Sequence, residues 1–169
     1  MLRFVSFVVL VVFIVASAAA NALVGRPTVT DGDTFRFQSG IRVRLFGVDT
    51  PEKNQKCERA DACYPCGRDA AAFVREFIGS NDLVCELTGE KTYDRYVAIC
   101  SVGKKDLGEA IIASGWGFPY RQFLKGHRLR VAYEVAERQA QSRKLGLNRG
   151  PFIAPSDWRN HKMRLECER

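Results

Sequence analysis

An apolar run, Phe4 to Val15, is broken only by Ser6. Arg3 precedes it, and a stretch rich in alanine, Ala16 to Ala22, follows it. A basic start, a hydrophobic run and a small-residue end predict a secretory signal peptide over residues 1–22. Ala18-Ala19-Ala20 and Ala20-Asn21-Ala22 both fit a small-x-small cleavage site. The alternative is an uncleaved membrane anchor over residues 4–20, because the run approaches the roughly 20 residues that span a bilayer.

Beyond residue 22 the pattern shortens. Thr28 to Phe37 alternates around the turn Asp31-Gly32-Asp33, and Ile41 to Val48 alternates again after a Gln38-Ser39-Gly40 turn. A period of two predicts strands. A cysteine-containing loop follows Pro51. Ala70, Phe73, Val74 and Phe77 then recur at helical spacing, which predicts an amphipathic helix over Asp69 to Ile78 that stops at Gly79. Leu83 to Leu87 and Tyr96 to Val102 read as two more strands. Lys105 to Ser114 reads as a helix closed by Gly115, and Leu129 to Lys144 as a longer one closed by Gly146. No repeat, low-complexity tract or linker interrupts residues 23–169, so they predict one α+β domain.

Composition narrows the class. With 46% hydrophobic and 27% charged residues among 169, the chain has enough apolar material for one core and is not of the disordered type. The net charge of +7, one less if Arg3 leaves with the leader, attracts polyanions without specifying which. Cys57, Cys63, Cys66, Cys85, Cys100 and Cys167 form an even set beyond the leader, where an oxidising compartment would pair them. Zinc is the rival, because Cys63-Tyr64-Pro65-Cys66 has ligand spacing. No second such pair follows, and neither His127 nor His161 is near in sequence.

The chemistry concentrates between Asp31 and Glu52. Asp31, Asp33, Asp49 and Glu52 gather four carboxylates around two strand ends, beside Thr34 and Thr50. Hard oxygen ligands suit calcium, whereas thiolate or imidazole would suit zinc or copper. Arg42 and Arg44 share one strand face, opposite Val43 and Leu45, and two arginines beside carboxylates can clamp a phosphate. Taken singly, each has a plain reading. Asp-Gly is a hairpin turn, Asp49-Thr50-Pro51 a strand end or cap, and the arginines solvated strand charges.

Order and spacing change that weighting. Asp31-Gly32-Asp33-Thr34, then Val43 to Glu52, then Tyr93-Asp94-Arg95-Tyr96-Val97-Ala98 resemble the staphylococcal nuclease, or thermonuclease-like, family. The resemblance continues through Leu107 to Tyr120 and Gly146 to Arg159. It implies a five-stranded OB-fold β-barrel with three α-helices. It also implies that Asp33 and Asp49 ligate Ca2+ through carboxylates and Thr50 through its main-chain carbonyl. Glu52 is then the candidate base, Arg44 and Arg95 face the scissile phosphate, and Tyr93 and Tyr120 contact the substrate. The residue before the second arginine is often glycine in the family. Here it is Asp94, which leaves Arg95 open to a different placement and to an ion pair with its surroundings. Trp116 and Phe118 read as core, Trp158 and Arg159 as structural, and His127 as a surface residue.

The activity so implied is that of a secreted or periplasmic, calcium-dependent nuclease. Water attacks DNA or RNA in line, the 5′ oxygen leaves and 3′-phosphates result. Single strands are the expected substrate, because stacking rings with little base-reading chemistry fit unpaired bases. A monomer without an obligate protein partner is expected. Two rivals remain: a non-catalytic OB-fold module that only binds nucleic acid, and a secreted disulfide-rich binding protein. Either would be free to lose the acids and arginines, which are all present. Finally, Cys85 and Cys100 lie on the strands flanking the Arg95 loop, and antiparallel pairing would bring them into bridging range. Cys57 and Cys66 then pair within the loop after Glu52, which leaves Cys63 with Cys167. Reduction is expected to loosen the Arg95 loop and to cost activity before the barrel itself melts.

Overall fold

The computed structural model describes residues 22–160, 163 and 165. The leader or anchor, except for Ala22, and the Cys63–Cys167 pairing, through Cys167, lie outside the described residues.

Seven strands form one curled sheet. They are β1 (Ala22–Gly25), β2 (Thr28–Val29), β3 (Thr34–Arg36), β4 (Arg42–Leu45), β8 (Leu83–Thr92), β9 (Arg95–Val102) and β10 (Lys105–Asp106). The order is β1-β8-β9-β4-β3-β2, with β10 also on β9. β3 runs antiparallel to β4 with Thr34 opposite Arg44, and β4 runs parallel to β9 with Arg42 opposite Arg95. The expected alternation holds on β4, where Val43 and Leu45 are buried and Arg42 and Arg44 are half-buried. Two small sheets complete the set: β5 (Val48–Asp49) with β11 (Phe118–Pro119), and the hairpin of β6 (Cys57–Arg59) and β7 (Ala62–Tyr64).

The fold is thus mixed α+β, consistent with an OB-like architecture, but its strands are more finely divided than five. Gly47, with φ of 69°, splits the second predicted strand, so that β5 leaves β4 and pairs with β11 instead. Its left-handed backbone favours glycine, and a Cβ there would also meet Leu124 at 2.6 Å.

The helices are likewise more numerous than three. Helix α1 (Cys66–Ile78) starts three residues before the expected Asp69, because the Pro65 carbonyl accepts from the Arg68 and Asp69 amides. Its first turn lies against the loop after Pro51. A Cβ on Gly67 would sit 1.8 Å from the Glu52 carbonyl oxygen, so glycine permits that approach. Helix α2 (Leu107–Ala113) is shorter than expected. Lys105 and Asp106 belong to an edge strand, and Asp106 caps the helix by accepting from the Glu109 amide at 2.8 Å. Three short elements were not expected: α3 (Arg121–Leu124), a 3-10 turn (Gly146–Arg149) and α5 (Pro155–Arg159).

Helix α4 (Arg130–Ser142) packs on α2, and its buried Tyr133 hydroxyl donates to Asp106 at 2.9 Å. Phe35, Val43, Val48, Leu83, Leu107, Ile111, Ile112 and Leu124 fill the space between sheet and helices. Each such side chain contributes about 1.5–3 kcal/mol by burial. Trp116 and Phe118 are partly buried against a second cluster containing Cys57, Cys66 and Leu147. His127 is more than a surface residue: its ring packs 4.6 Å from that of Phe46, and its Nδ1 accepts from the Leu129 amide. Two predicted disulfides are formed, Cys57–Cys66 and Cys85–Cys100.

Candidate active site

The predicted acids meet at the ends of β3 and β5. Turn geometry orients Asp33, whose amide donates to Asp31 Oδ1 at 3.1 Å and whose carbonyl accepts from the Leu45 amide at 2.8 Å. Its carboxylate is buried and accepts from the Thr34 hydroxyl and, at 3.3 Å, from the Thr50 amide. Asp49 is buried because β5 is covered by β11. Arg44 reaches across from β4: its Nη2 lies 3.2 Å from Asp33 Oδ2 and 3.3 Å from Asp49 Oδ1.

Crowding leaves its mark on the acids. Burial, then the charge of Asp33, pushes the Asp31 carboxyl up to about 7, and Glu52 adds to the push. Burial also raises Asp49, against the opposing hydrogen bond from Arg159. Asp31 thus joins this cluster of carboxylates, although the resemblance gave it no role.

Glu52 is held at both ends. Its amide donates to Gln55 Oε1 at 3.2 Å, and its carboxylate accepts from Arg159 Nη1 at 2.9 Å. Gln55 is fully buried, and its Nε2 donates to the Ile153 carbonyl at 2.7 Å. Arg159, read from the sequence as structural, therefore lies against the candidate base. The same Nη1 also lies 2.8 Å from Asp49 Oδ1, inside the acid cluster. One signal pointed to it, since the resemblance runs on to Arg159. Gln55 gave none.

Arg95, the first residue of β9, donates to the Thr34 hydroxyl at 3.2 Å and points to the same site as Arg44. Asp94 does not capture it. Asp94 pairs with Arg42 at 2.6 Å, and that hydrogen bond holds the Asp94 carboxyl below its usual range. Arg42 is thereby withdrawn from the phosphate clamp that its strand face suggested. Arg44, Arg95, Tyr93, Tyr120, Phe123 and Arg159 line one cleft of 540 Å3. Tyr93 is 93% exposed and has a left-handed backbone (φ 55°) in the two-residue turn between β8 and β9. Tyr120 is fixed by its amide, which donates to the Gly47 carbonyl at 2.8 Å, and its ring meets Phe123 edge-on at 4.7 Å.

The donor set suits a hard divalent cation. Two buried carboxylates and the Thr50 main chain supply oxygen alone, and the crowded charges around Asp31 are what a cation relieves. Among the described residues no group of three or more Asp, Glu, His or Cys side chains converges as a metal cage, so main-chain and water oxygens would have to complete the shell. Zinc at Cys63-x-x-Cys66 is ruled out, because Cys66 is bonded to Cys57.

Residues 42–149 match the family model described as "Staphylococcal nuclease homologue". The matched segment holds Arg44, Asp49, Thr50, Glu52, Tyr93, Arg95 and Tyr120, whereas Asp33 and Arg159 lie outside it. No curated protein is similar enough to add a relative by name.

Proposed function

The chain belongs to the staphylococcal nuclease homologue family, and on that premise we propose that it is a calcium-dependent nuclease that hydrolyses phosphodiester bonds in DNA and RNA. The observation that carries this reading is that Arg44, which lines one cleft with Arg95, Tyr93 and Tyr120, pairs with both Asp33 and Asp49, while Arg159 of the same cleft joins Asp49 to Glu52.

Asp33, Asp49 and the Thr50 carbonyl would hold Ca2+, which when bound supplies positive charge to the attacked phosphate. Glu52 lies three residues beyond Asp49 and is fixed through its amide and its carboxylate, which suits it to orient water and accept its proton. Arg44 and Arg95 offer planar donors to the equatorial phosphate oxygens, where negative charge grows as water attacks in line and the 5′ oxygen leaves with a 3′-phosphate on the other product. Neither ring edging the cleft carries a base-reading pattern. Stacking tolerates any base, which supports a preference for single strands of either nucleic acid. The disulfides Cys57–Cys66 and Cys85–Cys100 support an oxidising compartment, and with the leader-like residues 1–22 they support a secreted or periplasmic protein, with anchoring by residues 4–20 as the alternative.

Hydrolysis of a labelled single-stranded oligonucleotide, followed in calcium and in excess chelator, tests the reading. Cleavage in calcium alone, with 3′-phosphate ends, is the expected result. Full activity in chelator would overturn it, and a folded chain that binds the oligonucleotide without cutting it would favour the binding-module alternative.

A further inference from the structure

We propose that Arg159 is a built-in counter-cation of the active site: it positions Glu52 and competes with the divalent cation for Asp49. The inference rests on the calcium-nuclease reading and deepens it. A single nitrogen, Arg159 Nη1, bridges Asp49 Oδ1 at 2.8 Å and Glu52 Oε1 at 2.9 Å. It thereby joins an acid of the cation site to the candidate base.

The arm that carries it is built for this placement. Ala154 N-caps α5, and its carbonyl accepts from the Asp157 and Trp158 amides at 2.9 and 3.0 Å. One residue earlier, the Ile153 carbonyl takes the hydrogen bond of buried Gln55, whose Oε1 holds the Glu52 amide. The segment 153–159 thus grips Glu52 from two sides, by its main chain through Gln55 and by its carboxylate through Arg159. Both grips originate beyond the matched residues 42–149.

Asp49 Oδ1 faces two guanidinium groups, those of Arg44 and Arg159. Arg44 has somewhere else to go when substrate arrives, since a phosphate can take it. Arg159 is tied to Glu52, which is not among the acids assigned to the cation, so its release would also free the candidate base. Its charge opposes a divalent cation at Asp49, while its hydrogen bond fixes the carboxylate that must meet the attacking water. Looser calcium binding is exchanged for a placed base.

The test titrates calcium calorimetrically into the full chain without nucleic acid, for wild type, Arg159→Gln and Arg159→Lys. Arg159→Gln should bind calcium about tenfold tighter, as removal of a unit charge a few ångströms from the site implies. Arg159→Lys keeps the charge and should bind as wild type does. At saturating calcium Arg159→Gln should lose about a hundredfold in kcat with KM little changed, because a misplaced base costs turnover rather than binding. A merely structural residue would leave calcium affinity unchanged or weaker, and either result with folded Arg159→Gln overturns the inference while leaving the nuclease reading intact. A wild-type chain that binds no calcium overturns the nuclease reading and the inference with it. One readout needs no variant: the Arg159 Nε–H signal of the wild-type chain should shift as calcium is added, and a signal that stays put overturns the proposal.

Discussion

Replacing both Cys85 and Cys100 by alanine should cost much of the stability and little of the activity. The cysteines face each other across the β8–β9 ladder and are fully buried, with a sequence separation of 15. On the chain-entropy model a loop of that length is worth about 3 kcal/mol. The two lost sulfur atoms add about 1 kcal/mol of cavity cost. About 4 kcal/mol is a large share of the roughly 5–15 kcal/mol that holds a domain folded. For a domain of this size it corresponds to a fall in Tm of about 15 °C. Activity should behave differently from what the sequence suggests. Arg95 sits at the other end of the hairpin, five residues from Cys100, or about 16 Å along a strand. There it is paired with Thr92 on one side and Arg42 on the other, and its side chain is held by Thr34. Those bonds do not pass through the disulfide. Calorimetry and oligonucleotide cleavage at 25 °C, beside peptide mapping of the unreduced wild type, measure all three quantities. A free Cys85 thiol, a Tm change of only a degree or two, or loss of turnover in a variant still folded at the assay temperature would each refute this reasoning.

Arg44→Lys and Arg95→Lys should each lower kcat by about 10²–10³ while the melting curve stays cooperative, because an ammonium cannot reproduce two planar donors. Asp33→Ala or Asp49→Ala should weaken calcium binding and activity together, and calorimetry beside the cleavage assay will show whether the two losses track each other. Affinity for a single-stranded oligonucleotide should fall steadily as salt rises, because a net charge of +7 acts through phosphates, and a flat response would make the charge incidental. In chelator, Asp31 should give stability a downward slope with pH. Its folded carboxyl is raised from 3.8 to about 7, so its contribution is full at low pH and is lost as the pH climbs to about 7. Asp31→Asn should flatten that slope in urea titrations run across the range.

What could be read from the sequence follows from distance along the chain. Arg42-Val43-Arg44-Leu45 shows its two faces in four consecutive residues, and the alternation predicts both the strand and which arginine side faces outward. The α1 helix is legible for the same reason, with its period visible in one turn after another. Pairings of two residues, such as Val48–Asp49 with Phe118–Pro119, carry no period and exist only because the core brings them together. The hairpin at residues 57–64 reads as loop because its strands are three residues each and it is tied by a disulfide rather than by an apolar face. Arg159 and Gln55 were the costly misses. The partners of Arg159 lie 107 residues away at Glu52, and Gln55 meets Ile153 across 98 residues, so no local pattern could show either contact.

Those distant contacts explain how buried acids are tolerated here at all. Desolvating Asp33 and Asp49 without partners would cost several kcal/mol per charge. The fold meets that cost with guanidinium groups from two ends of the chain, Arg44 on β4 and Arg159 on α5. The buried carboxylates are thus partnered within the chain itself, and on the calcium-nuclease reading the same oxygens remain available to a cation. The two arginines then diverge in what they can do next. On the calcium-nuclease reading Arg44 would exchange carboxylate for phosphate once the acids have another positive partner, so a cation at Asp33 and Asp49 and a phosphate at Arg44 would favour each other, and by linkage the favour would be mutual. Arg159 is tied to Glu52 as well as to Asp49, so the same exchange there would release the candidate base. On the calcium-nuclease reading the same acids couple cation to substrate, and the C-terminal arm would set how strongly the site holds the first before the second arrives.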